Sequence, residues 1–200
     1  FRSDDYGNNW DVISDDLSRK IDRNKLKVYD RVLSMDAVAK NGSTSLYGTI
    51  VALSESTLDE DLIVIGTDDG LVQITTNGGD SWRRIDNIPG APSQSYVNAV
   101  YTSQHNENVI YVVFNHHKYG DFRPYVFMTK DKGNTWSSIS SNLPSRGSVY
   151  AIEEDHLDPG LIFCGTEFGA FFSPDNGGTW KELSSGLPTI AVRDIAIQRE

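Results

Sequence analysis

The chain has 200 residues, 38% of them apolar and 23% charged, with 17 glycines, one cysteine and a formal net charge of −10. That balance suits a globular domain and lacks the basic footprint that nucleic-acid phosphates demand, so no nucleic-acid partner is expected. A single cysteine rules out an internal disulfide, and no apolar run approaches the roughly 20 residues of a membrane helix, so no membrane insertion is expected either. From the N-terminus, a polar box at 3–10 is followed by an insert at 15–46, where Val28, Val32 and Met35 could give a long crossing loop a short helical face. Short alternating or wholly apolar runs bounded by Gly, Asn, Asp and Pro then read as strands. They lie near 47–54, 62–66, 70–75 and 82–86, near 96–103, 109–115, 124–129 and 136–140, and near 148–154, 161–165, 169–173 and 180–184. A last apolar run covers 190–198.

Every tryptophan in the chain closes a copy of one eight-residue signature. The copies are Ser3-Asp-Asp-Tyr-Gly-Asn-Asn-Trp10, Thr75-Thr-Asn-Gly-Gly-Asp-Ser-Trp82, Thr129-Lys-Asp-Lys-Gly-Asn-Thr-Trp136 and Ser173-Pro-Asp-Asn-Gly-Gly-Thr-Trp180. Such recurrence marks a repeat protein. In each copy an Asp or Asn (Asp5, Asn77, Asp131, Asp175) can accept backbone N–H bonds within a tight turn. A glycine two residues on (Gly7, Gly79, Gly133, Gly177) supplies a backbone position at positive φ. The hydroxyl of Ser3, Thr75, Thr129 or Ser173 ties the turn's ends, and Trp10, Trp82, Trp136 and Trp180 bury a large ring to anchor the hairpin. None of the copies has the alternating-oxygen spacing of a calcium loop, so the box is read as a staple, with no metal and no cofactor expected.

These residues resemble the Asp-box, or bacterial-neuraminidase repeat, of sialidases, xyloglucanase-like glycosidases, sortilin-type receptors and photosystem assembly factors. Tyr47-Gly-Thr-Ile-Val-Ala-Leu, Gly66-Thr-Asp-Asp-Gly-Leu-Val, Gly120-Asp-Phe-Arg-Pro-Tyr and Leu187-Pro-Thr-Ile-Ala-Val-Arg-Asp-Ile-Ala look like large bacterial sortilin-like, BNR-repeat glycosyl-hydrolase-like proteins. The resemblance implies an all-β fold: part of one β-propeller domain made of four-stranded antiparallel blades, with each box between a blade's third and fourth strands. On that rule 1–14 is a partial blade, 15–46 an insert loop, 47–88, 96–143 and 148–186 complete blades, and 190–200 the first strand of the next. About three complete blades and two partial ones do not close a ring. The remainder of a parent chain, or a second copy, is therefore expected to complete the propeller. The resemblance also implies an extracytoplasmic location. Cys164 stands where another repeat has Ile65, which predicts a buried core thiol.

Propeller geometry puts the boxes at one end with the first-to-second-strand loops, 55–61, 104–108 and 156–160. Ligands are expected at the other end, on the second-to-third-strand turns and the crossings between blades. Asp68 and Glu167 occupy equivalent places in two such turns, and a glycosidase needs two carboxylates about one bond. They are the catalytic candidates, against a reading in which each acid satisfies backbone donors in its own hairpin. The longest turn, 115–124, offers Tyr119, Asp121, Phe122 and Arg123 as ligand-binding groups, with Asp121 or Arg123 as an alternative loop lock. His116 and His117 are adjacent, so on an extended strand they point apart. Arg193 lies on the 190–198 run, beside the central channel. The Phe/Tyr-Arg-Ile-Pro motif of sialidases is missing, and so are a nucleophile elbow, a phosphate loop and a Cys/His metal spacing. The sequence thus reads as a non-catalytic recognition module for a protein or glycan, with part of a xyloglucanase-like glycoside hydrolase as the alternative.

Overall fold

The computed structural model describes residues 1–28, 30–34, 36–38 and 48–199. Twelve strands form three four-stranded antiparallel meanders, each running in sequence order. The first contains β3 (Ile50–Glu55), β4 (Leu62–Thr67), β5 (Val72–Thr76) and β6 (Arg83–Ile85). The second contains β7 (Tyr96–Thr102), β8 (Ile110–His116), β9 (Asp121–Thr129) and β10 (Ser137–Ser138), and the third β11 (Val149–Glu154), β12 (Ile162–Thr166), β13 (Gly169–Ser173) and β14 (Lys181–Glu182). This is the all-β blade architecture of a propeller. The second strands are apolar at successive positions because each has a neighbour on both faces. Leu62 and Val64 join the core between the first two sheets, with Ile110, Val112, Phe114 and Phe127. Tyr111 and Val113 join the next core, with Ile152, Ile162, Cys164 and Trp180. Burial there pushes the Cys164 thiol far above its ordinary range.

Each first strand carries a register shift at the same place, between Ile50 and Ala52, Val97 and Ala99, and Val149 and Ala151. The shift aligns Ile50 with Val97 and Val149, and Leu53 with Val100 and Ile152. Val97 and Val149 are fully buried, whereas Ile50 is 48% and Leu53 65% exposed. The seat for Val97 is a glycine of the first sheet, and the third sheet offers the same kind of seat to Val192. A Cβ at Gly66 would collide with Val97, and one at Gly165 would fall within 2.8 Å of Val192 Cγ1. Residues 190–199 have no strand ladder, since no second strand stands beside them. Even so, the Val192 N–H donates to Thr166 O at 2.9 Å, so Val192 sits on the third sheet as Val97 sits on the first.

The boxes share one geometry. The hydroxyl of Ser3, Thr75, Thr129 or Ser173 accepts the N–H of Gly7, Gly79, Gly133 or Gly177 at 2.7–3.0 Å and donates to Oδ1 of Asp5, Asn77, Asp131 or Asp175 at 2.7–2.9 Å. The same Oδ1 accepts the N–H of Asn9, Ser81, Thr135 or Thr179 at 2.7–3.0 Å. The four glycines have φ between 84° and 107°, where a Cβ is strained. Donation led by the Thr135 N–H holds the Asp131 carboxyl down at about 2. The boxes of the three sheets also bond the loop after their blade's first strand, through Gly78 N–H to Asp61 O, Lys132 N–H to Asn108 O and Asn176 N–H to Gly160 O.

The isoleucine three beyond each of the first three box tryptophans links neighbouring repeats. Ile13 lies against Gly79, Ile85 against Gly133 and Ile139 against Gly177. Trp82 Nε1–H donates to Ile13 O and Trp180 Nε1–H to Ile139 O, at 2.9 and 2.7 Å. Trp10 and Trp136 turn back onto their own boxes, to Gly7 O and Gly133 O. Burial varies along the chain: Trp180 is buried, Trp82 and Trp136 are half-buried, and Trp10 is 61% exposed. Among the described residues Trp10 is therefore not buried as the sequence predicts.

The insert departs from the helical face that the sequence allowed. A 3-10 turn at Arg23–Lys25 leads into a two-strand hairpin, β1 (Lys27–Val28) with β2 (Arg31–Val32), so Val28 and Val32 fall on paired strands. Met35 and 39–47, including Tyr47, lie outside the described residues. The insert's anchor is Arg19. Its backbone N–H donates to Asp69 Oδ2 and its guanidinium donates to Asp69 O, Gly70 O and Asp86.

Candidate functional site

At the end opposite the boxes, the second-to-third-strand turns of the first and third sheets bond the segment entering their own blade's first strand. Asp68 N–H donates to Thr49 O and Glu167 N–H to Ser148 O. The two catalytic candidates have different fates. Asp68 is buried, and its Oδ1 accepts Gly48 N–H at 2.8 Å and Thr49 N–H at 3.0 Å, so it braces the backbone. Glu167 is half-buried, and its Oε2 is enclosed without a hydrogen-bond partner. They stand on the first and third sheets with the second between them, and no hydrogen bond joins them.

The turn between β8 and β9 is built by a 3-10 turn, His117–Tyr119, that ends at Gly120 with φ 72°. Asp121 takes both prongs of the Arg123 guanidinium at 3.0 and 2.7 Å and the Tyr125 hydroxyl at 2.7 Å. Arg123 above all holds the Asp121 carboxyl well below the usual carboxylate range. Asp121 is therefore the loop lock, and Arg123 extends outward from it. The histidines diverge as expected, His116 Nδ1 to Ser95 Oγ at 2.8 Å and His117 Nε2 to Ser148 Oγ at 2.6 Å. Tyr119 stacks on His116 with ring centroids 4.3 Å apart and remains 55% exposed. Among the described residues no group of three or more His, Cys, Asp or Glu side chains is arranged to hold a metal.

Phe122 faces a second partner set, which the sequence reading missed. Its ring lies 5.0 Å from that of His117 and carries the Arg146 guanidinium at 5.4 Å. His117 stands edge-on to Tyr150 at 6.2 Å, and Arg193 covers the Tyr150 ring at 4.6 Å. Burial, then the nearby charge of Glu167, raises the Tyr150 phenol above its ordinary range. An open groove of about 410 Å³ runs along Gly120, Asp121, Phe122, Arg123, Ser145 and Arg146. Phe122, Arg123 and Arg193 thus lie on one surface with Arg146 and Tyr150, while Asp68 is set apart in the first sheet. The available signal was positional: 144–149 is a crossing between blades at the ligand end, and Arg146 is its sole charge. A larger cavity, about 730 Å³, lies between residues 12–20 and the box at 75–82. It holds none of the candidate residues.

Solved structures share the fold. An ancestral GH74 enzyme aligns with TM-score 0.55 at 18% identity, over 70% of this chain and 19% of its own. The GH74 xyloglucanase of Xanthomonas campestris aligns with TM-score 0.55 at 13% identity, over 70% of this chain and 24% of its own. YCF48 bound to D1 peptide aligns with TM-score 0.54 at 22% identity, over 70% of this chain and 43% of its own. The chain therefore spans less than half the length of each, and at these identities the likeness is one of fold. No curated protein matches the chain. Among sequence families the DUF6242 beta propeller domain matches residues 34–193, which includes all three sheets and the surface from Phe122 to Arg193, and the chain belongs to that family.

Proposed function

We propose that this part of the propeller is a non-catalytic recognition module, sortilin-like in kind, that holds a protein or glycan on the loops opposite the boxes. The observation that carries the reading is the Phe122 surface. The Phe122 ring and the guanidinium groups of Arg123 and Arg146 line an open groove there, with His117 packed beside Phe122 and Asp121 locking the turn. Exposed rings with convergent polar groups are what binding sites offer. YCF48, a structural neighbour, is bound to a peptide, which supports a peptide as one ligand class. The paired-carboxylate hydrolase has weaker support, because the bonded oxygen of Asp68 is already given to two backbone donors. The exposed Ile50 and Leu53 are where further propeller sheets would seat, from the parent chain or a second copy.

Calorimetric titration against panels of oligosaccharides and peptides tests the reading. At least one ligand should bind, and Phe122→Ala should weaken it by about tenfold or more while the same oligosaccharides stay uncleaved. Hydrolysis of any of them that disappears in Asp68→Asn or Glu167→Gln would replace this reading with the glycosidase.

A further inference from the structure

Resting on that reading, we propose that the surface running from Arg146 through Phe122, His117 and Tyr150 to Arg193 is a site for an acidic glycan, one whose sugars carry uronic-acid carboxylates. The chain as a whole carries a net charge of −10, yet both ends of this surface are cationic. Elsewhere Arg2, Arg19, Arg84 and Arg123 each hold an aspartate. Arg146 and Arg193 are exposed and, among the described residues, hold no carboxylate. Each rests on an aromatic ring instead. A guanidinium has five N–H donors in a planar fork that matches a carboxylate. One face on a ring leaves the donor edge open to a ligand while limiting the freedom lost on binding.

Two further features narrow the ligand class. The rings of Phe122, His117 and Tyr150 follow one another as an aromatic row between the two arginines, suited to the C–H face of a sugar ring. Glu167 Oε2 is enclosed without a donor, next to the Thr166 carbonyl that binds the Val192 N–H and so beside Arg193. A buried acceptor left unmatched is unfavourable; a turn of the half-buried Glu167 side chain toward the surface would bring it to a hydroxyl of the ligand. A uronic acid brings carboxylate, hydroxyl and apolar ring face together in one residue. A glutamate-rich peptide brings the carboxylate without the hydroxyl. A nucleic acid would bring many phosphates to a chain that repels them overall.

The test is calorimetry on the whole chain with three probes: the α-1,4-linked galacturonic acid trimer, the matching neutral galactose trimer, and hexaglutamate. The galacturonate trimer should bind, more tightly than either other probe. Arg146→Gln and Arg193→Gln should each weaken it by about tenfold, and Glu167→Gln should alter it too, because the unmatched acceptor becomes a mixed donor. Lys130→Gln, an exposed charge at the box end, should leave binding unchanged, and unaltered circular dichroism checks that each variant folds. Equal binding of the neutral trimer, or preference for hexaglutamate, would overturn the acidic-glycan assignment while the recognition reading stands. Failure of all three probes would overturn the assignment too. The broader panels above then decide separately whether the module binds anything.

Discussion

Replacing Glu154 with alanine is expected to lower the unfolding free energy by about 3–5 kcal/mol, a large share of a domain's stability. The side chain is 2% exposed and lies in the seam between the second and third sheets. Ser103 Oγ–H donates to its two oxygens at 2.9 and 2.8 Å, Gln104 N–H at 2.9 Å and Tyr111 O–H at 3.2 Å. Alanine would remove the common acceptor and leave those donors enclosed, each unfavourable by about 1–3 kcal/mol. The tyrosine reports the same environment, since burial first and Glu154 second drive its phenol far above the ordinary range. Glu154→Gln keeps the shape but turns an amide toward some of those donors, and should destabilise by roughly 1–3 kcal/mol. Urea titrations of the three proteins measure both values. Destabilisation by alanine no greater than by glutamine would show that the carboxylate does not organise the seam.

Gly177→Ala should be nearly as damaging, at roughly 2–4 kcal/mol from backbone strain and overpacking combined. Gly177 has φ +84°, and a Cβ there would stand 2.6 Å from Ile139 Cβ and 3.0 Å from its Cδ1. The two causes can be separated. In the double variant Gly177→Ala with Ile139→Gly, which removes the Cβ as well as the rest of the side chain, the crowding is relieved while the backbone strain persists, so the pair should be non-additive by about 1 kcal/mol or more. Strict additivity would mean that the glycine serves its own turn and nothing in the neighbouring repeat.

The contrast between these two residues explains how much was legible before the structure. Gly177 could be read from the sequence because its constraint is local. A hydroxyl, an Asx and a glycine within five residues dictate one turn, and the strands follow from equally local periodicity. Glu154 could not be read that way. Within Glu153-Glu154-Asp155 it resembles a solvated acidic run, and only the arrival of Ser103 and Tyr111 from another sheet makes it a buried acceptor. The candidate site divides along the same line. Asp121 with Arg123 is a two-residue relation and was visible, as was the choice of this end of the blades. Arg146 on Phe122 and Arg193 on Tyr150 join segments 24 and 43 residues apart, with no spacing to announce them. Asp68 drew notice as a possible acid because its turn matches that of Glu167. The hairpin uses it for its own amides, the commoner fate of a carboxylate in such a turn. Arg19, which pins the insert from about 50 residues away, left no signature at all.

The isoleucine that follows each of the first three box tryptophans by three positions, seated on the glycine of the next box, makes those three junctions between repeats ask for the same two partners. A junction of that kind is modular. Whole repeats can be duplicated or deleted in evolution, and the ends left behind still match. Stability in such an array accumulates from intrinsic and nearest-neighbour contributions, so the outermost sheets should loosen before the middle one, with amide exchange slowest along Ile110–Phe114. A scaffold assembled this way can change its circumference without redesigning its joints.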